Sequence, residues 1–471
     1  MIEISDYTIA AHLLPKLLGI VYFFAFGAFI FQIKGLIGSE GILPVHPYLE
    51  WTYSYYGKKA YYHIPTLFWL DSSDKTLLGI AYLGTLLSLL LVIGFYPAVT
   101  LLLLYLLYLS IVSVGQDFLS FGWECFLLET TFYTFLLTLA ARPNLAVWIC
   151  LNLLLFRFHI QAGAVKIQSH DPTWHDLSAL AYHYQTQPLP ITTSWYVHKL
   201  PLWFHKGSSY LMFITELVVP FAIFFTEETR LVAFVFLAGL QVMIWLTGNF
   251  SFLNHLTFVL TTILLNNQTL LLFYPFHTDY PPTPLYLDLS LTLLGSLFIF
   301  LQLVRLWTHF YPRQTFLKWL DWLAPFNLVC RYGIFAVMTT KRYEIVIEGS
   351  EDGLLWKEYL FRYKPSEIER RPRRIAPYQP RLDWQIWFLP FTTYYRSAWF
   401  QVLLVKLLKG NPEVLKLIRE NPFPEQPPKF IRALAYEYTF TSFAEKKKTG
   451  QWWNRRFIDS YSPTLSLKNY P

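Results

Sequence analysis

Residues 145–167 read LAVWICLNLLLFRFHIQAGAVKI, and this stretch decides the class of the protein. An α-helix needs about 20 mostly apolar residues to cross the hydrocarbon core of a bilayer, and residues 145–162 come close to that length. Comparable windows occur at residues 13–33, 76–93, 97–114, 123–139, 210–225, 231–246, 253–265 and 285–306. The sequence therefore predicts a polytopic α-helical membrane protein with about nine membrane segments, of which the eighth is short enough to be re-entrant.

The composition supports the same class. Of the 471 residues, 54% are hydrophobic and only 15% are charged, whereas soluble domains are about 25% charged. This balance excludes an ordinary soluble enzyme, a disordered scaffold and a small secreted domain held by disulfides. The three cysteines form no C-x-x-C pair, and neither they nor the histidines show metal-ligand spacing, so we expect no metal site and no cofactor. We also expect no nucleic-acid partner.

Charge divides the chain into two regions. Residues 336–471 hold 23 Lys and Arg against 14 Asp and Glu, whereas the first 335 residues are close to neutral. We therefore predict a membrane body at 1–335, with long interfacial loops at 34–75 and 166–209, and a basic carboxy-terminal domain at 336–471. Both loops are rich in aromatic residues, as in the aromatic belts at membrane interfaces.

Alternation of apolar and charged residues predicts strands in the carboxy-terminal region. Residues 343–348 and 356–363 flank a Gly-rich turn and should form a β-hairpin, and residues 430–441 should form another strand. A helical pattern at 395–409 ends at Gly410, which gives a small β-rich α+β domain. The run RRPRR at 370–374 is typical of a solvated loop near anionic headgroups.

Ionisable residues within the spans are the best candidates for chemistry, because each costs about 2.5–3.5 kcal/mol at a helix centre. His159 and Lys166 are seven residues apart and so share one helix face. A lysine desolvated there could act as a base; alternatively, Lys166 anchors the helix end at the interface. Asp117 lies at a helix entrance, where a carboxylate favours the helix dipole.

Several long motifs resemble the lipase maturation factor family, in order and over nearly the whole chain. They are QIKGLIG at 32–38, GILP at 41–44, GQDFLSFGW at 115–123, YHYQTQPLP at 182–190, TGNFSFLN at 247–254, APYQPRLDWQIW at 376–387 and NPFP at 421–424. The resemblance implies a polytopic membrane protein that helps secreted lipases fold and assemble, with a carboxy-terminal domain that contacts the client. On that basis we expect an immature lipase, or a similar client, to bind at Arg373, Arg374, Tyr378, Arg381, Asp383, Trp384 and Trp387.

A shorter motif is similar to part of the vitamin K-dependent γ-carboxylases. AGAVKI at 162–167, followed by Trp174, resembles the segment that carries the catalytic lysine of those enzymes and implies that role for Lys166. Two functions thus stand as hypotheses. The favoured one is a membrane-bound folding and assembly factor, in the endoplasmic reticulum of a eukaryote or the inner membrane of a bacterium. The alternative is an intramembrane enzyme in which Lys166, supported by His159 or Asp117, deprotonates a quinol-like or lipid substrate.

Overall fold

The computed structural model describes residues 3–274, 281–311 and 315–469. In this part of the chain the membrane body is built from nine main helices. They are α1 (Thr8–Ile30), α2 (Asp74–Ile93), α3 (Pro97–Val114), α4 (Gly122–Thr138), α5 (Leu145–Gln168), α6 (Leu202–Leu217), α7 (Glu227–Thr247), α8 (Leu253–Thr261) and α9 (Leu285–Phe310).

Seven of these helices are long and apolar enough to cross a membrane: α1, α2, α3, α5, α6, α7 and α9. The other two predicted segments also form helices, but shorter ones. α4 has 17 residues and carries Glu124 and Glu129, and α8 has nine residues, seven of them buried. The chain is thus an integral membrane protein in which α8 is a short helix with most of its residues buried.

Helix α5 lies at the centre of the membrane body, with 89% of its most apolar window buried. It packs against α4, α6 and α9. Helices α1 and α2 approach each other closely because glycines face the partner helix. A Cβ atom at Gly84 would come within 2.3 Å of the Phe26 ring, and one at Gly19 within 2.8 Å of the Ser88 carbonyl oxygen. Small residues at such crossings allow tight packing between membrane helices.

Short helices occupy the two long connections of the membrane body. The first connection contains Ile33–Ile37, Val45–Tyr56 and Ala60–His63, and the second contains Pro172–His175, Ala179–Thr186 and Thr192–Val197. In the first, the rings of Trp51 and Tyr55 are exposed and stack at 5.8 Å.

The carboxy-terminal region contains one antiparallel sheet in the order β2-β1-β3-β4. Its strands are β1 (Arg342–Ser350), β2 (Lys357–Glu358), β3 (Phe430–Phe440) and β4 (Trp453–Ser460), and the helices α10 (Arg381–Ile386) and α11 (Ala398–Leu408) lie between β2 and β3 in the chain. The predicted hairpin is present, but β2 is only two residues long because Leu360 bridges to Glu420 instead of continuing along β1. β4 is an edge strand that the sequence pattern did not predict, since its residues are mostly exposed.

One continuous hydrophobic core runs through both regions. Leu36 and Trp123 of the membrane body belong to the same buried cluster as Trp384, Leu404 and Ile431 of the carboxy-terminal region. The two regions are therefore packed together over an apolar interface instead of being joined by a linker alone.

Candidate functional site

A buried network of polar groups lies where α10 packs against the membrane body; we call this contact the junction. At its centre, the fully buried Arg381 guanidinium donates to Glu124 Oε1 of α4 at 2.7 Å and to the Phe118 carbonyl oxygen at 2.8 Å. Tyr108 and Trp123 also donate to the Glu124 carboxylate. A buried charge is tolerated only when it is paired and hydrogen-bonded, and both charges here are.

Two amide side chains of the membrane body bind the backbone of the segment that leads into α10. Gln32 Nε2 donates to the Gln379 carbonyl oxygen at 2.8 Å, and Gln32 Oε1 accepts from the Arg381 N–H at 2.9 Å. Asn249 Nδ2 donates to the Arg373 carbonyl oxygen at 2.9 Å, and Asn249 Oδ1 accepts from two N–H groups, those of Ile375 and Ala376. Each amide thus satisfies backbone groups that an extended segment would otherwise leave unpaired.

Aromatic rings close the junction on its apolar side. The buried Trp384 ring lies 5.2 Å from Trp123 and 5.9 Å from Phe250, in edge-to-face geometry. Trp387 Nε1 donates to the Thr186 carbonyl oxygen at 2.8 Å. Each edge-to-face pair of aromatic rings stabilises the contact by about 0.5–1.5 kcal/mol beyond the effect of burying the ring surfaces.

A second arginine fastens the sheet to the same surface. The buried Arg342 guanidinium, at the start of β1, donates to the backbone carbonyls of Gln185 at 3.1 Å and Pro188 at 2.9 Å. It also pairs with Glu344, whose other oxygen lies 2.9 Å from Lys364 Nζ. Because these groups lie in different regions of the chain, the contacts fix the sheet against the second long connection.

The family-like motifs converge on this junction. Gln32, Phe118, Gln187 and Asn249 come from four motifs of the membrane body, and all bind residues of the carboxy-terminal region directly. The motif at 376–387 supplies Arg381, which binds Gln32 and Phe118, together with Trp384 and Trp387. Five of the family-like motifs therefore meet at one interface, although their residues are separated by up to 349 positions in the chain.

The residues predicted to bind a client have very different environments. Arg373 and Arg374 are exposed, and Tyr378 and Trp387 are partly buried. Arg381, Asp383 and Trp384 are buried, so a client could reach them only if the junction opened. Asp383 Oδ1 accepts from the N–H groups of Tyr363 and Lys364, and burial raises the pKa of this carboxyl.

Lys166 is buried and ion-paired. Its Nζ atom lies 2.8 and 3.0 Å from the two oxygens of Glu216 on α6, and it also donates to the Ala162 carbonyl oxygen at 2.9 Å. The pair fixes the end of α5 to α6, with the ammonium 5.6 Å from the Trp174 ring centre.

The residues suggested as helpers of Lys166 have other roles. His159 is buried with its Nδ1 atom 2.9 Å from the Leu155 carbonyl oxygen, and Asp117 is an exposed residue in a short turn between α3 and α4. His183 does lie near Lys166, and burial together with that positive charge lowers the pKa of His183 to about 4. Within the described residues, no group of three or more His, Cys, Asp or Glu side chains could hold a metal ion. The hypothesis of an intramembrane enzyme therefore gains no support.

The pairing of Glu124 with Arg381 was not predicted. Glu124 is flagged by its place within an apolar span, but its partner lies 257 residues away. Arg381 has a weaker signal: it is a cation in a segment otherwise rich in apolar and aromatic residues.

Comparison with known proteins agrees with this architecture. Residues 9–272 match the model of the lipase maturation factor transmembrane domain, and residues 328–463 match that of the lipase maturation factor C-terminal domain. The chain is 33% identical to lipase maturation factor 1 of Bos taurus, over 97% of this chain and 89% of that protein. It is 32% identical to lipase maturation factor 2 of Rattus norvegicus, over 95% of this chain and 82% of that protein. No solved structure matches. Both domains and nearly the full length are shared, and the chain belongs to the lipase maturation factor family.

Proposed function

We propose that this protein is a membrane-bound factor that helps a secreted lipase, or a similar client, to fold and assemble. The observation that carries the proposal is that both domains of the lipase maturation factor family are present and interlocked at the junction. A client held by the carboxy-terminal domain would thereby stay at the membrane surface. In a eukaryote that membrane is the endoplasmic reticulum, where secreted proteins fold, and in a bacterium it is the inner membrane.

The client surface in this proposal is the exposed part of the carboxy-terminal domain. β4 pairs with β3 on one side only and ends the sheet within the described residues. Phe457 and Ile458, near its end, are 55% and 41% exposed. An exposed edge strand is a template for a further strand, and peptide partners commonly bind in this way. An extended segment of an immature lipase, whose backbone N–H and C=O groups are still unpaired, would therefore bind along β4.

The exposed Arg373 is the second part of this surface. Its backbone carbonyl is held by Asn249, which fixes the position of the residue while its side chain remains exposed. An acidic stretch on the client would be attracted by this residue and by the net positive charge of the domain.

Co-purification of a secreted lipase from the same organism with the full-length membrane protein tests this surface. The double variant Phe457→Ser, Ile458→Ser should recover less lipase than the wild type. Arg373→Glu should also recover less lipase than the wild type, and this deficit should be larger at low salt than at high salt. Leu354→Ser, Leu355→Ser is the matched control, because these leucines are 82% and 75% exposed in the same domain but lie outside the strands. Equal recovery by the β4 variant and the control would reject β4 as the client surface.

A further inference from the structure

An apolar groove opens on the lipid-facing side of the membrane body, between α1, α7 and α8. Its volume is about 340 Å³, within the range of ligand pockets, and its wall is almost entirely apolar. The amides of Gln241 and Asn254, which also line it, bond to each other at 2.9 Å. The residues that define the groove in the argument below are Leu17, Ile20, Phe24, Val242, Trp245 and Phe258.

The groove has a direction relative to the membrane. Phe24 and Trp245 lie near the ends of α1 and α7 that lead into the junction, because Gln32 and Asn249, which follow these helix ends, both bind the carboxy-terminal region. Leu17 is seven residues deeper along α1, a distance of about 10 Å. This is about two thirds of the 15 Å hydrocarbon thickness of one leaflet. The groove thus runs inward from the junction edge of the membrane.

Its open side faces the hydrocarbon region. Ile20 and Phe258 line the groove and are 45% and 39% exposed on apolar helices. No partner helix covers these side chains within the described residues, so a hydrocarbon chain can enter sideways from the bilayer. An acyl chain in the groove would make more dispersion contacts with the protein than it makes with its neighbours in the fluid bilayer.

A positive charge lies at the outer end of the groove. The Arg374 guanidinium is 4.4 Å from the ring centre of Trp245, which is a groove residue, and Arg374 itself is exposed. Arg374 belongs to the basic run 370–374, whose position at the membrane edge suits an anionic headgroup. The polar end of a lipid whose chain fills the groove would therefore meet Arg374.

We propose that this groove is a specific binding site for an anionic phospholipid, with one acyl chain between α1, α7 and α8 and the phosphate on Arg374. The bound lipid would join the membrane body to the basic segment of the carboxy-terminal domain. The site is separate from the β4 surface, and it does not depend on the identity of the client.

Native mass spectrometry of the full-length protein, delipidated in detergent, tests the proposal. The probes are phosphatidylglycerol and phosphatidylcholine with the same palmitoyl and oleoyl chains. The wild-type protein should retain one phosphatidylglycerol at a lower lipid concentration than phosphatidylcholine. Arg374→Ala should weaken phosphatidylglycerol about fivefold, the effect of one lost cation at a membrane surface, and Arg373→Ala should weaken it less.

Val242→Trp should fill the groove and remove the retained lipid of either kind. Met243→Trp is its matched control, because Met243 is exposed on the same helix and does not line the groove. Thermal unfolding of each variant checks that the fold is kept. Equal retention of the two lipids by the wild type would overturn the proposal, and so would full retention of phosphatidylglycerol by a folded Val242→Trp protein.

Discussion

Replacing Arg381 by methionine is predicted to open the junction. Methionine keeps the unbranched apolar stem that lies under the guanidinium, but it removes the ion pair with Glu124 and the hydrogen bond to Phe118. Glu124 is 1% exposed, so its charge would stay buried without its cationic partner. Breaking a buried pair in this way costs about 3–5 kcal/mol. Because Tyr108 and Trp123 still donate to the carboxylate, we expect a loss near the lower value, about 3 kcal/mol.

A double-mutant cycle separates the loss of the pair from the loss of packing. Glu124→Gln removes the charge that Arg381→Met leaves unpaired, so the double variant should be more stable than the sum of the single effects predicts. We expect a coupling free energy of about 2 kcal/mol or more. Arg456→Met is the control, because the Arg456 side chain is 74% exposed and its pair with Glu437 should contribute at most about 1 kcal/mol.

The assay is pulse proteolysis of the full-length protein in detergent along a denaturant series. Opening of the junction exposes the segment before α10, so cleavage there should occur at lower denaturant concentration in Arg381→Met. The reasoning would be refuted if Arg381→Met were as stable as Arg456→Met, or if the effects of Glu124→Gln and Arg381→Met were additive.

Three further predictions concern other buried groups. Lys166→Met should destabilise the protein by about 3 kcal/mol, and adding Glu216→Gln should recover most of that loss, as thermal unfolding in detergent can measure. A Lys166→Met protein that is less active as a maturation factor at equal abundance and equal stability would contradict the structural role. Asn249→Ala removes the side-chain partner of four backbone groups, those of Leu189, Arg373, Ile375 and Ala376, and should cost about 2–3 kcal/mol in the same measurement, whereas no loss would argue against the contacts described. Burial lowers the pKa of both His183 and His198 to about 4, so the unfolded chain binds more protons below about pH 6.5. The free energy of unfolding should therefore fall as the pH is lowered from 6.5 to 4, and replacing both histidines by glutamine should flatten that dependence.

The membrane spans could be predicted from the sequence because the bilayer fixes the length of an apolar helix. For that reason the bounds of the predicted windows 76–93 and 97–114 agree with those of α2 and α3 to within two residues. β1 and β3 were predictable too, since alternation of apolar and polar residues is typical of a strand. The pattern did not predict that β1 is buried on both faces, with eight of its nine residues buried.

Other features depend on distant contacts and leave no local pattern. α10 has six residues, too few for a helical period, and all six are buried. β4 carries mostly exposed residues and is a strand because β3 provides hydrogen-bond partners. For the same reason Arg381 was expected on a client surface, whereas its guanidinium is enclosed by Glu124, Phe118 and the Phe29 ring. A motif identifies important residues without saying whether they face a partner or the protein's own interior.

The most direct test of the account is the specific activity of a secreted lipase, measured as activity per amount of secreted lipase protein. Cells of the source organism that lack this protein would be complemented with the wild type, with Arg381→Met and with the control Lys409→Met at matched membrane abundance. Lys409 is an exposed residue at the end of α11 and belongs neither to the junction nor to β4. We predict that wild type and Lys409→Met restore the specific activity and that Arg381→Met does not. Unchanged lipase activity in the cells that lack the protein would contradict the proposed function, and full restoration by Arg381→Met would contradict the role of the junction.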